Sequence, residues 1–265
     1  MYLGTLGRLI EIKCPTSLQS SRSGGFSFST TLEGKVKAQA LPGGRRVWDV
    51  ELGQLTTPAD LQTLEQFVAG AWGPGPFVFV PTDALVTNVL SPGVASCDPA
   101  AGMGSNTSPD GPMLTPDGWA ARTVRVNSTN NILWFGDQYF PVIPGAPMTF
   151  AAYLLGPDAA ARVYWYDENL NQLTFHTSDV TATSGSVVRS WRTVTPPEGA
   201  VSFRVRAVNA FQGAWPSVTW TDKLMPPSPG HGCLQAVVHG GSKGVVRATG
   251  TQQFYSTGFT VTEVG

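Results

Sequence analysis

The side chains that most often do chemistry in enzymes are few and widely spaced in this 265-residue sequence. Its three histidines, His176, His231 and His239, lie far apart and near glycine or proline, which is typical of solvated loop positions. His231 and Cys233 could hold a metal ion only with ligands from elsewhere in the chain. The chain has no HExxH and no P-loop motif. We therefore expect no enzyme activity, no cofactor and no bound metal.

An adjacent pair of carboxylates, Asp167 and Glu168, could serve as the acid and base of a glycosidase. The pair lies in YDENLN, between two segments that alternate like strands. Carboxylates in such turns usually accept hydrogen bonds from main-chain amides. We therefore expect a turn here rather than a catalytic site.

Aromatic residues are the best candidates for a binding function, because a flat ring can stack on the apolar face of a sugar. Residues 119–220 are rich in tryptophan and tyrosine, and most of these side chains must belong to a core. In VYWYD, alternation puts Val163 and Trp165 on one face of a strand and the two tyrosines on the other. The residues predicted to be exposed and to bind glycan are Trp134, Tyr166 and Trp215.

The elements that carry these residues are predicted to be mostly β-strands. Thirty glycines and twenty-one prolines indicate many turns, and long helical periodicity is nearly absent. Only 13% of the residues are charged and the net charge is −1, so the composition gives no sign of nucleic-acid or membrane binding. The charge is nevertheless segregated, because the stretch from Val47 to Ala121 has eight acidic residues and no lysine or arginine.

The cysteines and the N-terminal segment indicate the kind of cellular compartment in which the protein is expected. Cys14, Cys97 and Cys233 have neither metal-site spacing nor a CxxC pattern. Because three is odd, at least one thiol is unpaired, and a reducing compartment is the simplest setting. The N-terminal segment lacks the basic start and long apolar core of a secretory signal peptide. No apolar run reaches the roughly 18 residues of a membrane-spanning helix, so we expect no membrane partner.

The clearest strand is predicted in RRVWDVELGQL, residues 45–55. Trp48, Val50 and Leu52 alternate there with two acidic residues, which indicates one buried and one exposed face. A second strand, at residues 77–80, is apolar on both faces and is therefore expected to be central or covered.

One helix is predicted between these strands, in TTPADLQTLEQFVAGAWG. Thr57 is a good N-cap and Pro58 suits the first helical position, while Gly70 or Gly73 would end the helix. The apolar stripe that would pack on a sheet consists of Leu61, Leu64, Phe67, Val68 and Trp72.

The later part of the chain predicts an inserted domain. From Ser91 to Gly118 the sequence has no periodicity, and we expect a surface connection with at most one short strand. Residues 119–220 then alternate like short strands about ten residues apart, as in a β-sandwich or jelly roll. The roughly 35 residues after Pro229 are too few for a domain of their own, so they must complete one begun earlier.

The predicted fold class is therefore mostly β. Residues 1–88 and 227–265 form a discontinuous β-sandwich or barrel-like domain with one helix, and residues 89–226 form an inserted jelly-roll β-sandwich. Insertion is tolerated where two chain ends lie close together at a surface. Two successive domains are the alternative.

Residues 45–92 resemble the N-terminal domain of tail-tip proteins from long-tailed phages of actinobacteria, minor tail proteins that are similar to the siphophage distal tail protein. The shared pattern is a Trp-bearing strand, a Leu-Thr start of a helix, the glycine-rich GAWGPGPF, a strand, and Asn-x-Leu-x-Pro. The closing YSTGFTVTEVG resembles the final strand of that family. The middle section, including VIPGAPMTFAAYL and RSWRTVTPPEGAVSFRVRAV, is similar to the carbohydrate-binding-module-like jelly rolls inserted in such proteins. Residues 93–118 match no part of this pattern.

The resemblance implies a structural protein of the virion tail tip, made in the host cytoplasm. It implies a ring, commonly of six copies, that joins the tail tube to the tip complex around the DNA channel. The implied partners are the tail tube protein, the tail-tip hub protein and the tape measure protein. DNA would pass without specific binding, which suits the absence of basic residues from Val47 to Ala121.

The inserted β-sandwich would face outward and contact host-surface glycans or neighbouring tail proteins. The alternative reading is a carbohydrate-binding protein whose main task is host recognition. A glycan-degrading enzyme is disfavoured, because no acidic pair lies in surroundings that would perturb its pKa.

Overall fold

The computed structural model describes residues 1–13, 15–23, 26–31, 33–40, 45–55, 58–98, 107–118, 120–126, 132–182, 185–249 and 252–264. The protein is mostly β, as predicted. The strands are β1 (Tyr2–Thr5), β2 (Arg8–Glu11), β3 (Pro15–Ser23), β4 (Phe26–Thr30), β5 (Val36–Ala40), β6 (Arg45–Leu55), β7 (Phe77–Val80), β8 (Thr107–Leu114), β9 (Ala120–Val126), β10 (Ile132–Trp134), β11 (Phe140–Pro141), β12 (Met148–Leu155), β13 (Ala160–Tyr166), β14 (Gln172–Thr177), β15 (Val188–Val194), β16 (Ser202–Val208), β17 (Gln212–Thr219), β18 (Cys233–Thr249) and β19 (Gln252–Glu263). The helices are α1 (Pro58–Val68), α2 (Thr82–Val86) and α3 (Pro92–Ala95).

The chain divides into two compact units. Unit 1 comprises Met1–Glu11 and Val78–Leu234, and unit 2 comprises Ile12–Phe77 and Gln235–Gly265. Each unit is built from two separate segments of the chain. The finer domain boundaries given above, 1–88, 89–226 and 227–265, stay a prediction.

Unit 2 contains an antiparallel sheet in the order β18-β19-β6-β3. The predicted alternation on β6 is confirmed, because Trp48, Val50 and Leu52 are buried while Asp49 and Glu51 are exposed. The strands β4 and β5 pair in a separate two-stranded sheet.

The helix α1 supplies the other side of the unit 2 core. Phe67 is buried, stacks on Trp72 with ring centroids 4.4 Å apart and meets the edge of Phe77 at 5.3 Å. The helix ends at Val68, and Gly70 in the turn that follows has a φ of 75° and an N–H that donates to the carbonyl of Phe67. Thr57, the predicted N-cap, and the side chain of Leu61 lie outside the described residues.

The opposite face of the unit 2 sheet is polar. Asp49 accepts a hydrogen bond at 2.8 Å from the hydroxyl of Thr260, which pairs in register with His239. The Nε2 atom of His239 lies 2.8 Å from Oγ1 of Thr262. We call Asp49, Glu51, His239, Thr260 and Thr262 the acidic face.

Unit 1 is built around a β-sandwich. One five-stranded sheet has the order β15-β12-β17-β9-β8, and the other has the order β10-β16-β13-β14 with β11 beside β16. Both sheets contribute side chains to one core, in which the ring of Trp165 lies 6.0 Å from that of Phe203. The strand β16 alternates, and its residues Phe203, Val205 and Ala207 are buried in this core. The pair β1–β2 belongs to the same unit, with β1 also pairing with β7.

Two features of residues 81–118 differ from the sequence-based expectation. The short helices α2 and α3 add to the one helix that was predicted, and Val94, Ala95 and Cys97 are buried rather than part of a surface connection. The strand β8 runs for eight residues, but a register shift between Asp110 and Met113 interrupts its pairing with β9. Proline, glycine and this irregularity removed the alternation that marks a strand.

A buried amide fixes one end of the sandwich. The Nδ2 atom of Asn88 donates to the carbonyls of Pro216 (3.1 Å) and Ser228 (3.0 Å). Its Oδ1 atom accepts the N–H groups of Leu90 (3.2 Å) and Val218 (3.1 Å). All four hydrogen bonds of this side chain are therefore made inside the protein. We call these five residues the Asn88 clamp.

Two glycines allow the chain to pass close to the clamp. The N–H of Gly232 donates to the carbonyl of Leu90 at 3.1 Å. A Cβ atom on Gly232 would lie 2.8 Å from the carbonyl carbon of Val89 and closer still to its oxygen. Gly230 is similarly close to the backbone of Leu90, so only glycine fits at these positions.

No helix in the described parts of the chain is long and apolar enough to cross a membrane.

Candidate functional site

The outer face of the β10-β16-β13-β14 sheet carries an unusual row of arginine and aromatic side chains. Alternation along β13 and β16 turns Trp165 and Phe203 inward, so that their neighbours in sequence point outward. We call this surface the arginine–aromatic face, and it consists of Asp137, Tyr139, Arg162, Tyr164, Tyr166, Phe175, Arg204 and Arg206.

Each arginine of the face lies over an aromatic ring. The guanidinium carbon of Arg162 is 4.3 Å from the ring centroid of Phe175, and that of Arg206 is 4.2 Å from the centroid of Tyr164. The corresponding distance from Arg204 to Tyr139 is 5.0 Å. Cation–π attraction of this kind stabilises both the charge and the ring position, so these arginine and aromatic side chains hold one another in place.

Hydrogen bonds fix the arginines further. Nη1 of Arg162 donates to the hydroxyl of Tyr164 at 3.2 Å, and Nη2 of Arg206 donates to the hydroxyl of Tyr166 at 3.2 Å. Burial lowers the pKa of Arg206 from its ordinary value, and the neighbouring tyrosines oppose that shift. A guanidinium still stays protonated at neutral pH. The face therefore presents fixed positive charge.

Two of the three predicted glycan-binding residues belong to this part of the sheet. Tyr166 is only 5% exposed, so its prediction as an exposed residue is wrong. The ring of Tyr139 packs edge-on against it at 5.0 Å, and Arg206 covers its hydroxyl. The backbone of Trp134 pairs in register with Arg206, and its side chain lies outside the described residues. A glycan-binding role for either residue stays a prediction.

The third predicted residue, Trp215, lies on the other sheet at a pocket of about 360 Å³. A register shift between β12 and β17 falls at this point, and Trp215 has a φ of 48°. Such bulges redirect side chains, and here the tryptophan is half-buried. The pocket is also lined by Asp98 and Arg122, whose charged groups are 3.7 Å apart.

A buried thiol lies next to the pocket residues in sequence. Cys97 is fully buried, and burial raises its pKa to about 12 although the main-chain N–H of Trp215 and the charge of Arg122 act in the opposite direction. Cys97 and Cys233 are both free and buried. Cys14 lies outside the described residues.

The predicted turn at Asp167 is confirmed. Oδ1 of Asp167 accepts the N–H groups of Asn169 (2.9 Å) and Asn171 (2.8 Å), and Oδ2 accepts the Asn171 amide. Hydrogen bonds from Asn171, followed by that from Asn169, lower the pKa of this carboxyl. An ionised carboxylate that caps a turn is poorly suited to donate a proton to a leaving group.

The prediction that the histidines occupy loops is wrong for two of the three, because His176 lies in β14 and His239 in β18. Nδ1 of His176 accepts the indole N–H of Trp165 at 2.8 Å, and burial lowers the pKa of His176. His231 lies 2.9 Å from a carboxylate oxygen of Asp83. Among the described residues, no group of three or more histidine, cysteine or acidic side chains is arranged to hold a metal ion.

Ser242 lies in a sequence motif that is shared with hydrolases. Residues 240–244, GGSKG, fit the GxSxG pattern that surrounds the nucleophile of many hydrolases. That role needs a sharp turn from a strand into a helix. Here Ser242 lies inside the long strand β18, opposite Gly258 of β19, so the motif lacks the required setting.

Comparison with known proteins found no matching family model and no matching curated protein. The enzymatically active domain of tailspike protein 4 of bacteriophage CBA120 is similar at 9% identity and a TM-score of 0.35, over 50% of this chain and 21% of that one. A carbohydrate-binding module of Cellvibrio mixtus lichenase 5A, in complex with cellotriose, is similar at 13% identity and a TM-score of 0.30, over 46% and 89%. The infectious bursal disease virus VP2 subviral particle is similar at 10% identity and a TM-score of 0.28, over 93% and 80%. These likenesses assign the chain to no family.

Proposed function

We propose that this chain is a structural component of the tail tip of a long-tailed phage. It forms a ring, of about six copies, that joins the tail tube to the tip complex around the DNA channel, as the resemblance of residues 45–92 implies. The observation that supports this best lies in unit 2. The Trp-bearing strand β6 pairs with the closing strand β19 over seven residue pairs. Two distant segments that both resemble the distal tail proteins therefore form one sheet.

An edge strand offers a way to build the ring. The strand β3 ends the order of the unit 2 sheet, and no other described strand pairs with its outer side. Unpaired edges can add a strand from another copy, and such head-to-tail contacts close into rings. The acidic face suits a channel wall, because carboxylates repel the phosphates of passing DNA. The proposed partners are the tail tube, hub and tape measure proteins, and the proposed role needs no catalysis.

The ring is tested by measuring the mass of the purified chain by light scattering over a concentration series, with negative-stain images. We expect closed rings of about six subunits that form as the concentration rises. Gln19→Lys puts a positive charge on the edge strand β3 and should reduce the ring fraction about tenfold. Gln172→Lys makes the same substitution at an exposed position of β14 in unit 1 and should leave the ring unchanged. A strict monomer at high concentration would count against self-assembly.

A second candidate function is carbohydrate binding for host recognition. The observation that favours it is the presence of half-buried or exposed aromatic rings beside charged groups, at Trp215 and at Phe175, which is 45% exposed. Sugars are bound by such combinations of a flat ring and polar groups. This function and the ring are compatible.

A glycan array tests the second candidate. We expect saturable binding to at least one glycan, weakened about tenfold by Trp215→Ala because one stacking surface is lost. The matched control is Phe211→Ala, which removes an aromatic ring that is 55% exposed and does not line the pocket. Equal losses in the two variants, or no binding to any glycan, would contradict a binding role for Trp215.

A further inference from the structure

The pocket beside Trp215 combines an aromatic wall with an ion pair. It has a volume of about 360 Å³, and the residues that line it all belong to unit 1. They come from α3 and the residues just after it, from β9, from the irregular part of β17 and from the segment before β18. We call it the Trp215 pocket, and its described lining residues are Ala95, Ser96, Asp98, Arg122, Trp215 and Pro229.

The charges in the pocket balance each other. Nη1 of Arg122 lies 3.7 Å from Oδ1 of Asp98, and these are the charged side chains among the described lining residues. The Arg122 side chain is 55% exposed and that of Asp98 is 44% exposed, so a molecule in the pocket can reach both. A charged ligand would be attracted by one group and repelled by the other, so the lining favours a ligand without net charge.

We propose that the Trp215 pocket binds a neutral sugar unit at the end of a glycan. One face of the sugar ring stacks on Trp215, while neighbouring hydroxyl groups donate to the Asp98 carboxylate and accept from the Arg122 guanidinium. A hydroxyl group both donates and accepts, which suits it to a carboxylate and a guanidinium placed side by side. The inference rests on the glycan-binding function proposed above and adds the charge and the size of the ligand.

The Asn88 clamp holds two walls of the pocket in place. The Asn88 amide donates to the carbonyl of Pro216 at 3.1 Å and to that of Ser228 at 3.0 Å. Pro216 directly follows Trp215 in the sequence, and Ser228 directly precedes Pro229. One buried side chain therefore fixes the backbone on both sides of the pocket.

The segment that carries Asp98 is tied to the same tryptophan. The main-chain N–H of Trp215 donates to the sulfur of Cys97, and the N–H of Asp98 donates to the carbonyl of Gly93 at 2.8 Å. Cys97 and Trp215 have φ values of 54° and 48°, in a region that residues other than glycine rarely adopt. Such backbone persists only where the surrounding structure fixes it, and it is frequent at binding sites. A site with fixed walls loses little conformational entropy when it binds a ligand.

The size and polarity of the pocket select the class of ligand. Pockets for small molecules have volumes of roughly 300–1,000 Å³, so this pocket suits about one or two sugar rings rather than a long stretch of polymer. A purely apolar ligand would remove the ion pair from water without replacing its hydrogen bonds, which is unfavourable. An acyclic polyol has the hydroxyl groups but lacks a ring face that can stack on an indole.

The experiment measures the binding of single sugars to the full chain by nuclear magnetic resonance titration at about 0.15 M salt. The neutral probes are the methyl glycosides of glucose, galactose and mannose, and sorbitol supplies hydroxyl groups without a ring. The charged probes are the uronate and the protonated amino sugar of the same configuration as the neutral sugar that binds. We expect at least one methyl glycoside to bind with a Kd of about 1 mM or lower, and the charged sugars and sorbitol to bind at least about tenfold more weakly.

Other outcomes overturn the inference in distinguishable ways. A uronate or amino sugar that binds as tightly as the neutral sugar would refute the charge preference, and equal binding of sorbitol would refute stacking on the tryptophan. If the glycan array identifies a ligand but no methyl glycoside binds, the inference fails and the glycan-binding function stands. No binding in either experiment would count against both.

Charge variants locate the binding site. Asp98→Asn gives the lining a net positive charge, so it should weaken binding of the neutral sugar about tenfold and make the uronate the tighter ligand. Arg122→Gln gives the lining a net negative charge and should favour the amino sugar instead. Opposite changes of charge preference in two variants would not result from a general loss of structure.

The matched control is Asp179→Asn. Asp179 and Arg192 form another ion pair of unit 1, with charged groups 3.5 Å apart, and neither residue lines the pocket. This variant should bind all probes as the unchanged protein does. Equal effects of Asp98→Asn and Asp179→Asn, or an unchanged charge preference in Asp98→Asn and Arg122→Gln, would overturn the proposed site.

Discussion

Replacement of Gly232 by alanine is expected to lower the free energy of unfolding of the sandwich by more than about 4 kcal/mol, because backbone must move to admit the methyl group. The new Cβ atom would lie 2.8 Å from the carbonyl carbon of Val89. Neither backbone segment can shift easily, because both are hydrogen-bonded. The N–H of Val89 donates to the carbonyl of Val218, and the N–H of Gly232 donates to the carbonyl of Leu90. Urea denaturation followed by tryptophan fluorescence, together with the soluble yield, measures the effect.

The control for this substitution is Gly111→Ala. A Cβ atom on Gly111 would meet no atom within 4 Å, so its effect should stay within about 1 kcal/mol. A Gly232→Ala protein as stable as the Gly111→Ala protein would contradict the close approach of the two segments.

Replacement of Asn88 by alanine is expected to lower the free energy of unfolding by about 4 kcal/mol, at roughly 1 kcal/mol for each lost hydrogen bond. The substitution leaves two carbonyls and two N–H groups of the Asn88 clamp without their partner. Asn88 is fully buried, so water cannot easily replace the amide. The unfolding midpoint in urea, with an unchanged slope, gives the loss.

Two further variants sharpen the test of the clamp. Asn88→Asp has the same shape but turns an oxygen toward the carbonyls of Pro216 and Ser228, and it should destabilise at least as much as alanine. Asn169→Ala changes an exposed asparagine in a turn and should stay within about 0.5 kcal/mol. A small effect of both Asn88 variants would mean that the clamp contributes little to stability.

Alternation made the strands of both units predictable. On β6 and β16, large apolar residues such as Trp48 and Phe203 recur at every second position, so sequence alone indicates which face is buried. The helix α1 was also predictable because its apolar stripe is periodic, although Val68, one member of the predicted stripe, is 38% exposed. The strand β8 was not, since Pro109 and Gly111 interrupt its pattern and its partner strand lies later in the chain.

The candidate site was harder to predict than the fold. Exposure of Tyr166 depends on Tyr139 and Arg206, which come from distant parts of the sequence. Arg204 and Arg206 alternate with core residues along β16, which places them on an outer face. Nothing local indicates that they stack on rings of other strands, because cross-strand neighbours are set by register.

The contribution of Asn88 to stability could not be predicted from the sequence either. Its place in Asn-x-Leu-x-Pro marked it as part of a pattern, but three of its four hydrogen-bond partners lie more than a hundred residues away. Buried polar side chains find their hydrogen-bond partners through the tertiary structure, so these partners can be identified only when the fold is known.

The burial of Cys97 gives the protein an oxidation-resistant thiol that can also be used as a reporter. With a pKa of about 12, roughly one molecule in ten thousand carries the thiolate at pH 8, and the thiolate is the form that alkylating agents and peroxide attack. The folded protein should therefore keep this thiol in air without added reductant. Modification requires the sandwich to open locally, so the rate at which a thiol reagent consumes Cys97 counts those openings under native conditions.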